Sequence, residues 1–328
     1  MQRVNCGRNW GVILAGGDGE RLLPLTRLIA GDDRPKQFCA LVEGKKTLLE
    51  QTKWRIAKAV PPAQTLYVLT HRHERYYSGD LAQIPSSRMI VQKSNRGTLP
   101  AILYSLARLI ELNAPDSQAC DGGPVVGFFP SDHYYARERR FIKKVRKAFQ
   151  SAELNPNSVI LLGAEPKTPE TGFGYIEPAP EVESRDNPGL MSVKRFWEKP
   201  SLEVAHNLLS LGCVWNTFVM VGRLAAFLGL IQETAPDLYR AFEPMMYGKS
   251  TDHGAIQSVY DSIPSADFSK LVLSAVNPRV RVLNLGDVGW SDLGDPQRLM
   301  ETLSTHGIQS PWRQTWVQEM QIAAVSGQ

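Results

Sequence analysis

At 328 residues, with 43% hydrophobic and 21% charged residues, the chain has the size and composition of one large α/β domain or two modest ones. A formal net charge of +4 admits an anionic substrate but is too small to imply nucleic acid, and no apolar run approaches the roughly 20 residues that span a bilayer. The four cysteines (Cys6, Cys39, Cys120, Cys213) form no CxxC pair, which argues against a disulfide framework or zinc site, and with a polar N-terminus lacking a signal-peptide core they fit a cytoplasmic protein.

In chain order, WGVILA (10–15) is a short apolar run ending at a glycine, and predicts a buried strand feeding a loop. TLYVLT (65–70), MIVQ (89–92), PVVGFFP (124–130) and SVILLG (158–163) predict further buried strands. HRHERYY (71–77) lacks the carboxylate pattern of a metal site and predicts a helix start on the surface. LPAILYSLARLIEL (99–112) places Ile102, Leu106, Leu109 and Ile110 on one helical face. FIKKVRKAFQSA (141–152) does the same with Phe141, Val145, Phe149 and Ala152, and its other face is basic. This alternation predicts a Rossmann-like open, mostly parallel mixed sheet with helices on both faces.

After about residue 165 the rhythm changes. TGFGYIEP (171–178), MSVKRFWEKP (191–200) and CVWNTFVMVG (213–222) are strand-like, with helical stretches at 202–211 and 224–233. EVESRDNPG (181–189) reads as a surface turn. RVRVLNLGDVGW (279–290) predicts one late strand returning to the site, and DPQRLMETLSTH (295–306) a closing helix. There is no internal repeat. The division expected is a catalytic domain over 1–306 and a tail over 307–328 packed on it.

The loop LAGGDGERLLPLTR (14–27) holds the first chemical signal. It lacks the lysine and hydroxyl residue of a Walker loop, and Leu22 stands where the dinucleotide fingerprint needs a third glycine. What remains is exposed backbone N–H groups and Arg21, which suit a triphosphate. Taken alone, the loop also reads as a tight turn with a surface arginine. Together with RPKQF (34–38), it resembles the signature of the sugar-1-phosphate nucleotidyltransferases, most closely those that act as mannose-1-phosphate guanylyltransferases. QKSNRGTLPAI (92–102), FFPSDHYY (128–135), TGFGYIE (171–177), FWEKP (196–200), VWNTFV (214–219) and VGWSDLGD (288–295) continue the resemblance in order.

The resemblance implies that a sugar-1-phosphate and a nucleoside triphosphate, GTP, give a nucleotide-sugar and pyrophosphate. The attacking phosphate oxygen is already ionised, so catalysis is positioning and charge neutralisation. It implies Asp132 and Asp292 as ligands of Mg²⁺, although each alone also reads as a helix cap. Arg21 and Lys36 are implied on the triphosphate and Lys199 on the sugar phosphate. Glu198, Asn216, Glu177 and Gly174 are implied at the sugar. Leu14, Gly16, Gly17, Gly19, Asn95, Gly97 and Thr98 are implied at the nucleotide, and His133 itself reads as structural. No nucleic acid or membrane partner is expected, and a homodimer is compatible.

The chain departs from the family at three places. LIAGDDR (28–34) lengthens the link before PKQF, Thr217-Phe218 replaces a frequent serine-glycine pair, and SADFSKLVL (265–273) only loosely resembles the usual helix with an acidic end. At this length the chain is expected to carry neither a fused isomerase domain nor a long β-helix. Two alternatives stay open: another hexose-1-phosphate or base, or a catalytically silent nucleotide-sugar sensor. The intact set of Arg21, Lys36, Asp132, Lys199 and Asp292 argues against the sensor.

Overall fold

The computed structural model describes residues 9–42, 44–113, 123–179, 189–247, 253–275 and 277–326. The strands are β1 (Trp10–Leu14), β2 (Thr65–Thr70), β3 (Met89–Gln92), β4 (Val125–Pro130), β5 (Tyr134–Tyr135), β6 (Val159–Ala164), β7 (Tyr175–Pro178), β8 (Leu190–Trp197), β9 (Val214–Arg223), β10 (Val280–Asn284) and β11 (Trp290–Ser291). The helices are α1 (Leu23–Ala30), α2 (Leu48–Ile56), α3 (Glu74–Tyr77), α4 (Thr98–Asn113), α5 (Glu138–Leu154), α6 (Leu202–Ser210), α7 (Leu224–Thr234), α8 (Pro236–Tyr247), α9 (His253–Ser262), α10 (Pro296–Thr305) and α11 (Arg313–Ser326).

The predicted apolar runs are the strands of one sheet. Their buried faces alternate with period two, as a sheet covered on both sides requires. On β4, Val126 and Phe128 join Ile102 and Leu106 of α4 and Phe227 of α7, whereas Val125 and Phe129 join Phe141, Val145 and Phe149 of α5. Both amphipathic helices therefore dock by the faces read from their periodicity.

The sheet corrects the expected topology. Strands β3, β2, β1 and β4 are parallel, but β9 is antiparallel to both β4 and β6. Beyond β6 come β10, β8 and β7, and β7 pairs back onto β9, so five strands close on themselves. The sheet is mixed and closed at this end, neither open nor mostly parallel. The cause lies in β9. Its ladder with β6 shifts register between Leu162, opposite Val219, and Gly163, opposite Asn216. Thr217 and Phe218 are the extra residues of this bulge. A bulge bends and twists a strand, which lets the start of β9 reach β7 while its end stays on β4.

The stretch 279–290 is likewise not one strand. It splits into β10 and, after a turn at Gly286 and Gly289 with positive φ, β11. HRHERYY is also less superficial than expected: His73 and Tyr77 are buried, and His73 packs edge-on to Phe38. EVESRDNPG lies, apart from Gly189, outside the described residues, as do Cys6 and Cys120, while Cys39 and Cys213 are buried free thiols. After Gly307, Ile308, Trp312 and Trp316 pack with Leu22, Leu25 and Leu41. Among the described residues, no helix is long and apolar enough to cross a membrane.

Candidate active site

The glycine loop leaves the carboxyl end of β1, where ligands of α/β sheets bind. Its carbonyl oxygens are held inward by buried Gln37, whose Nε2 donates to Ala15 (3.1 Å) and Gly17 (2.7 Å). Thr70 Oγ1 donates to the Gly16 carbonyl at 2.9 Å. A Cβ on Gly16 would stand 2.8 Å from Gln92 Nε2, so that glycine answers crowding, whereas Gly17 faces open space. Gly19 takes φ 63°, a left-handed value suited to glycine. Among the described residues, the N–H groups of Gly16, Gly17, Asp18 and Gly19 donate to no backbone carbonyl. Arg21 is exposed and makes no ion pair among them.

Asp18 ties this loop to its neighbours. It pairs with Arg72, stands 3.4 Å from His73 Nε2, and accepts from Asn95 Nδ2 at 3.3 Å. Asn95 in turn accepts the Gly97 N–H at 3.0 Å. The predicted nucleotide residues of both segments, with Leu14 at the strand end, therefore lie side by side. Gly97 has φ 88°, and an added Cβ would lie 2.3 Å from the Ala266 carbonyl oxygen. Gly97→Ala is therefore expected to destabilise the fold by roughly 1–3 kcal/mol, and urea unfolding measures it.

The centre of the site is built by the small β5–β11 ladder, which pairs Tyr135 with Trp290 and Tyr134 with Ser291. That register carries Asp132 and Asp292, 160 residues apart in sequence, to one ammonium group. Lys36 Nζ stands 3.2 Å from Asp132 Oδ2 and donates to the backbone carbonyls of Asp292 (2.6 Å) and Leu293 (3.1 Å). Burial is the largest influence on Asp132 and works to raise its pKa, but the Lys36 charge, neighbouring His133 and the hydrogen bonds to the carboxylate together hold it below its usual range. His133 accepts from Trp290 Nε1 at 3.2 Å, and burial keeps it below the usual histidine range, hence neutral. The Asp292 carboxylate accepts from Arg298 Nη1 (2.9 Å) and from the Gly294 N–H (3.0 Å).

Arg298 also meets Glu170 at 3.1 Å and lies over the Phe173 ring. The 170–174 turn continues to the third group. The Gly174 carbonyl accepts the Asn216 N–H at 2.8 Å, and Gly174 abuts Glu198, whose Oε2 would lie 3.3 Å from an added Cβ. Burial, then nearby Asp267, push the Glu198 carboxyl above its usual range. Asp267 accepts from Thr98 Oγ1 at 3.4 Å, joining this group to the nucleotide segment. Lys199 is exposed, 3.9 Å from Glu198.

Glu177 is not brought to this group. On β7 it shares the face of Tyr175, and its oxygens accept from Lys194 Nζ (2.6 Å) and Trp197 Nε1 (3.0 Å). Its neighbour Ile176 packs with Phe196 on the other face. Period two thus separates Glu177 from Glu198.

Among the described residues, the non-glycine positions with positive φ are Lys199 (45°), Phe218 (57°) and Leu293 (48°). Such a backbone costs roughly 1–2 kcal/mol per residue. All three lie in the motifs FWEKP, VWNTFV and VGWSDLGD. Phe218 fills the bulge position that glycine suits. Its N–H donates to Asn216 Oδ1 at 3.0 Å, which engages the amide oxygen of Asn216 and leaves its NH₂ on the other side of the amide.

A family model described as nucleotidyl transferase matches residues 10–306. The chain is 31% identical over 301 residues to the mannose-1-phosphate guanylyltransferase ManC of Salmonella typhimurium, across 90% of this chain and 59% of that protein. It is 29% identical over 301 residues to the mannose-1-phosphate guanylyltransferase of Escherichia coli K12, with coverage of 90% and 59%. A crystal structure from Thermus thermophilus, described as a mannose-1-phosphate geranyltransferase, aligns with a TM-score of 0.75 at 29% identity, covering 93% of this chain and 80% of that one. The chain spans about three fifths of the length of the curated relatives it matches.

Proposed function

The chain belongs to the nucleotidyl transferase family, and on that premise we propose that it transfers a nucleotidyl group from GTP to mannose-1-phosphate with release of pyrophosphate. The observation that carries this reading is the convergence on Lys36. One ammonium touches the Asp132 carboxylate and the Asp292 backbone beside the glycine loop. A site where anions must meet and part needs such fixed charge more than it needs a base.

In the proposed step, an ionised oxygen of the sugar phosphate attacks the α-phosphorus. The bond from that phosphorus to the bridging oxygen breaks, and pyrophosphate leaves. Arg21 and the free N–H groups of the glycine loop hold the triphosphate. Leu14, Asn95, Gly97 and Thr98 border the base and ribose. Lys199 neutralises the sugar phosphate, while Glu198 and the NH₂ of Asn216 bond sugar oxygens beside Gly174. Two oxygen-donor carboxylates fit Mg²⁺, which keeps few protein ligands and adds substrate phosphates. Asp132 and Asp292 would hold it, and when bound it would supply further charge neutralisation.

A second reading, another hexose-1-phosphate, draws on Phe218, which follows Asn216 in the bulge and whose ring packs on Phe268. A competition assay separates the two. A pocket built for one hydroxyl leaves its own groups unpaired with the epimer, at roughly 1–3 kcal/mol per group. Mannose-1-phosphate is expected to exceed glucose-1-phosphate, and GTP to exceed ATP, by about tenfold or more in specificity constant. If glucose-1-phosphate or ATP wins, the guanylyl and mannose assignments fall and the transfer reaction stands.

A further inference from the structure

The chain's positive excess is concentrated on one helix. Residues 137–147 hold seven lysines and arginines and one acid. On α5 they form the face opposite the buried Phe141, Val145 and Phe149, and they line a groove with a volume of about 1110 Å³. Half of its fourteen lining residues are basic: six from α5, and Lys58 beyond the end of α2. The single acid is Asp287, which is already paired with Arg137. Lys58 is matched by Glu138. Arg139, Arg140 and Lys143 are exposed, and no acidic partner meets them among the described residues. Beneath them, Lys144 donates to the Asn284 carbonyl at 2.7 Å. None of the lining residues belongs to the candidate active site.

We infer that this groove is a second anion site, and that it takes an oligophosphate chain. Lysine and arginine are the phosphate-binding side chains, and they answer this ligand by charge and paired N–H donors. The lining contains no aromatic residue, so a nucleobase or unpaired strand finds no stacking platform there. The groove is concave and offers no projecting element to enter a duplex. Its volume lies just above the range of small-molecule sites, about 300–1,000 Å³. Recognition is therefore of the phosphate chain itself, free or carried by a nucleotide.

The test is titration calorimetry of the full chain with sodium tripolyphosphate. It is run in an Arg21→Ala/Lys36→Ala background, which removes the cations of the candidate active site beside the glycine loop. Binding is expected to persist there, to weaken about tenfold or more between 50 and 200 mM salt, and to be lost on adding Arg140→Glu/Lys143→Glu. The milder Arg139→Gln/Lys143→Gln should weaken it several-fold with the melting temperature unchanged. Adenosine triphosphate in place of tripolyphosphate distinguishes a carried chain from a free one. No binding in the Arg21→Ala/Lys36→Ala protein, wild-type-like binding after charge reversal, or tighter binding of a 20-nucleotide DNA than of tripolyphosphate would each overturn the assignment.

Discussion

Asp132→Ala and Asp292→Ala are each expected to lower turnover by at least about 10²-fold, the loss that follows when a principal electrostatic stabiliser is removed from a phosphoryl-transfer site. The two differ in their effect on the fold. Asp132 is the carboxylate partner of Lys36, whose side chain is only 11% exposed, so its loss leaves a nearly buried ammonium with carbonyl contacts alone. Breaking such a pair costs up to roughly 3–5 kcal/mol when fully buried, and less here because Asp132 is 24% exposed. Asp292 meets Lys36 through its backbone, which alanine keeps, while Arg298 retains Glu170. Asp292→Ala should therefore fold nearly as well as wild type. Asp132→Asn, which keeps a hydrogen-bond acceptor beside Lys36, separates chemistry from stability. Steady-state rates beside urea unfolding curves check both; near-wild-type turnover in a folded variant contradicts the role.

The second large effect is a split between the two ends of the site. Arg21 and Lys199 are exposed and spend little of their charge within the protein. Removing either should alter stability by no more than about 0.5 kcal/mol. Arg21→Ala is expected mainly to depress turnover, because the negative charge it meets grows as pyrophosphate leaves. Lys199→Ala is expected mainly to raise the KM for the sugar phosphate, a group whose charge is present from the start. Lys199 also holds φ 45°, so Lys199→Gly, which relaxes that backbone, should not recover the affinity. Steady-state kinetics with each substrate varied in turn decides this. The reverse pattern would mean that the two ends are assigned backwards.

The parts of the site that lie at strand ends were legible from residue patterns. An apolar run before a glycine turn placed the loop after β1, and the apolar run PVVGFFP placed Asp132 two residues after β4. The closure of the sheet was not legible, because it depends on where β9 shifts register. That shift is set by Thr217 and Phe218 against strands remote in sequence. The positive φ of Phe218 explains in hindsight why glycine is frequent there in the resembling family. Glu177 was grouped with the sugar residues by motif, and strand periodicity puts it on the opposite face.

The supporting residues were missed for a common reason. Gln37, Arg298, Asp18 and Asp267 act on other parts of the protein as much as on a ligand, so their roles exist only once the chain is folded. Gln37 had a signal, a polar residue inside a motif that turned out wholly buried. Arg298, three residues after the Asp295 helix cap, had one too, since the i, i+3 spacing after a cap faces it back toward Asp292.

The central claim is transfer at the α-phosphorus. It is tested most directly by incubating the full chain with mannose-1-phosphate, Mg²⁺ and GTP labelled separately at the α- and γ-phosphates, and following each label. The account predicts the α-label in a nucleotide-sugar and the γ-label in pyrophosphate, in equal amounts. A γ-label on the sugar, or release of orthophosphate without a nucleotide-sugar, would contradict it.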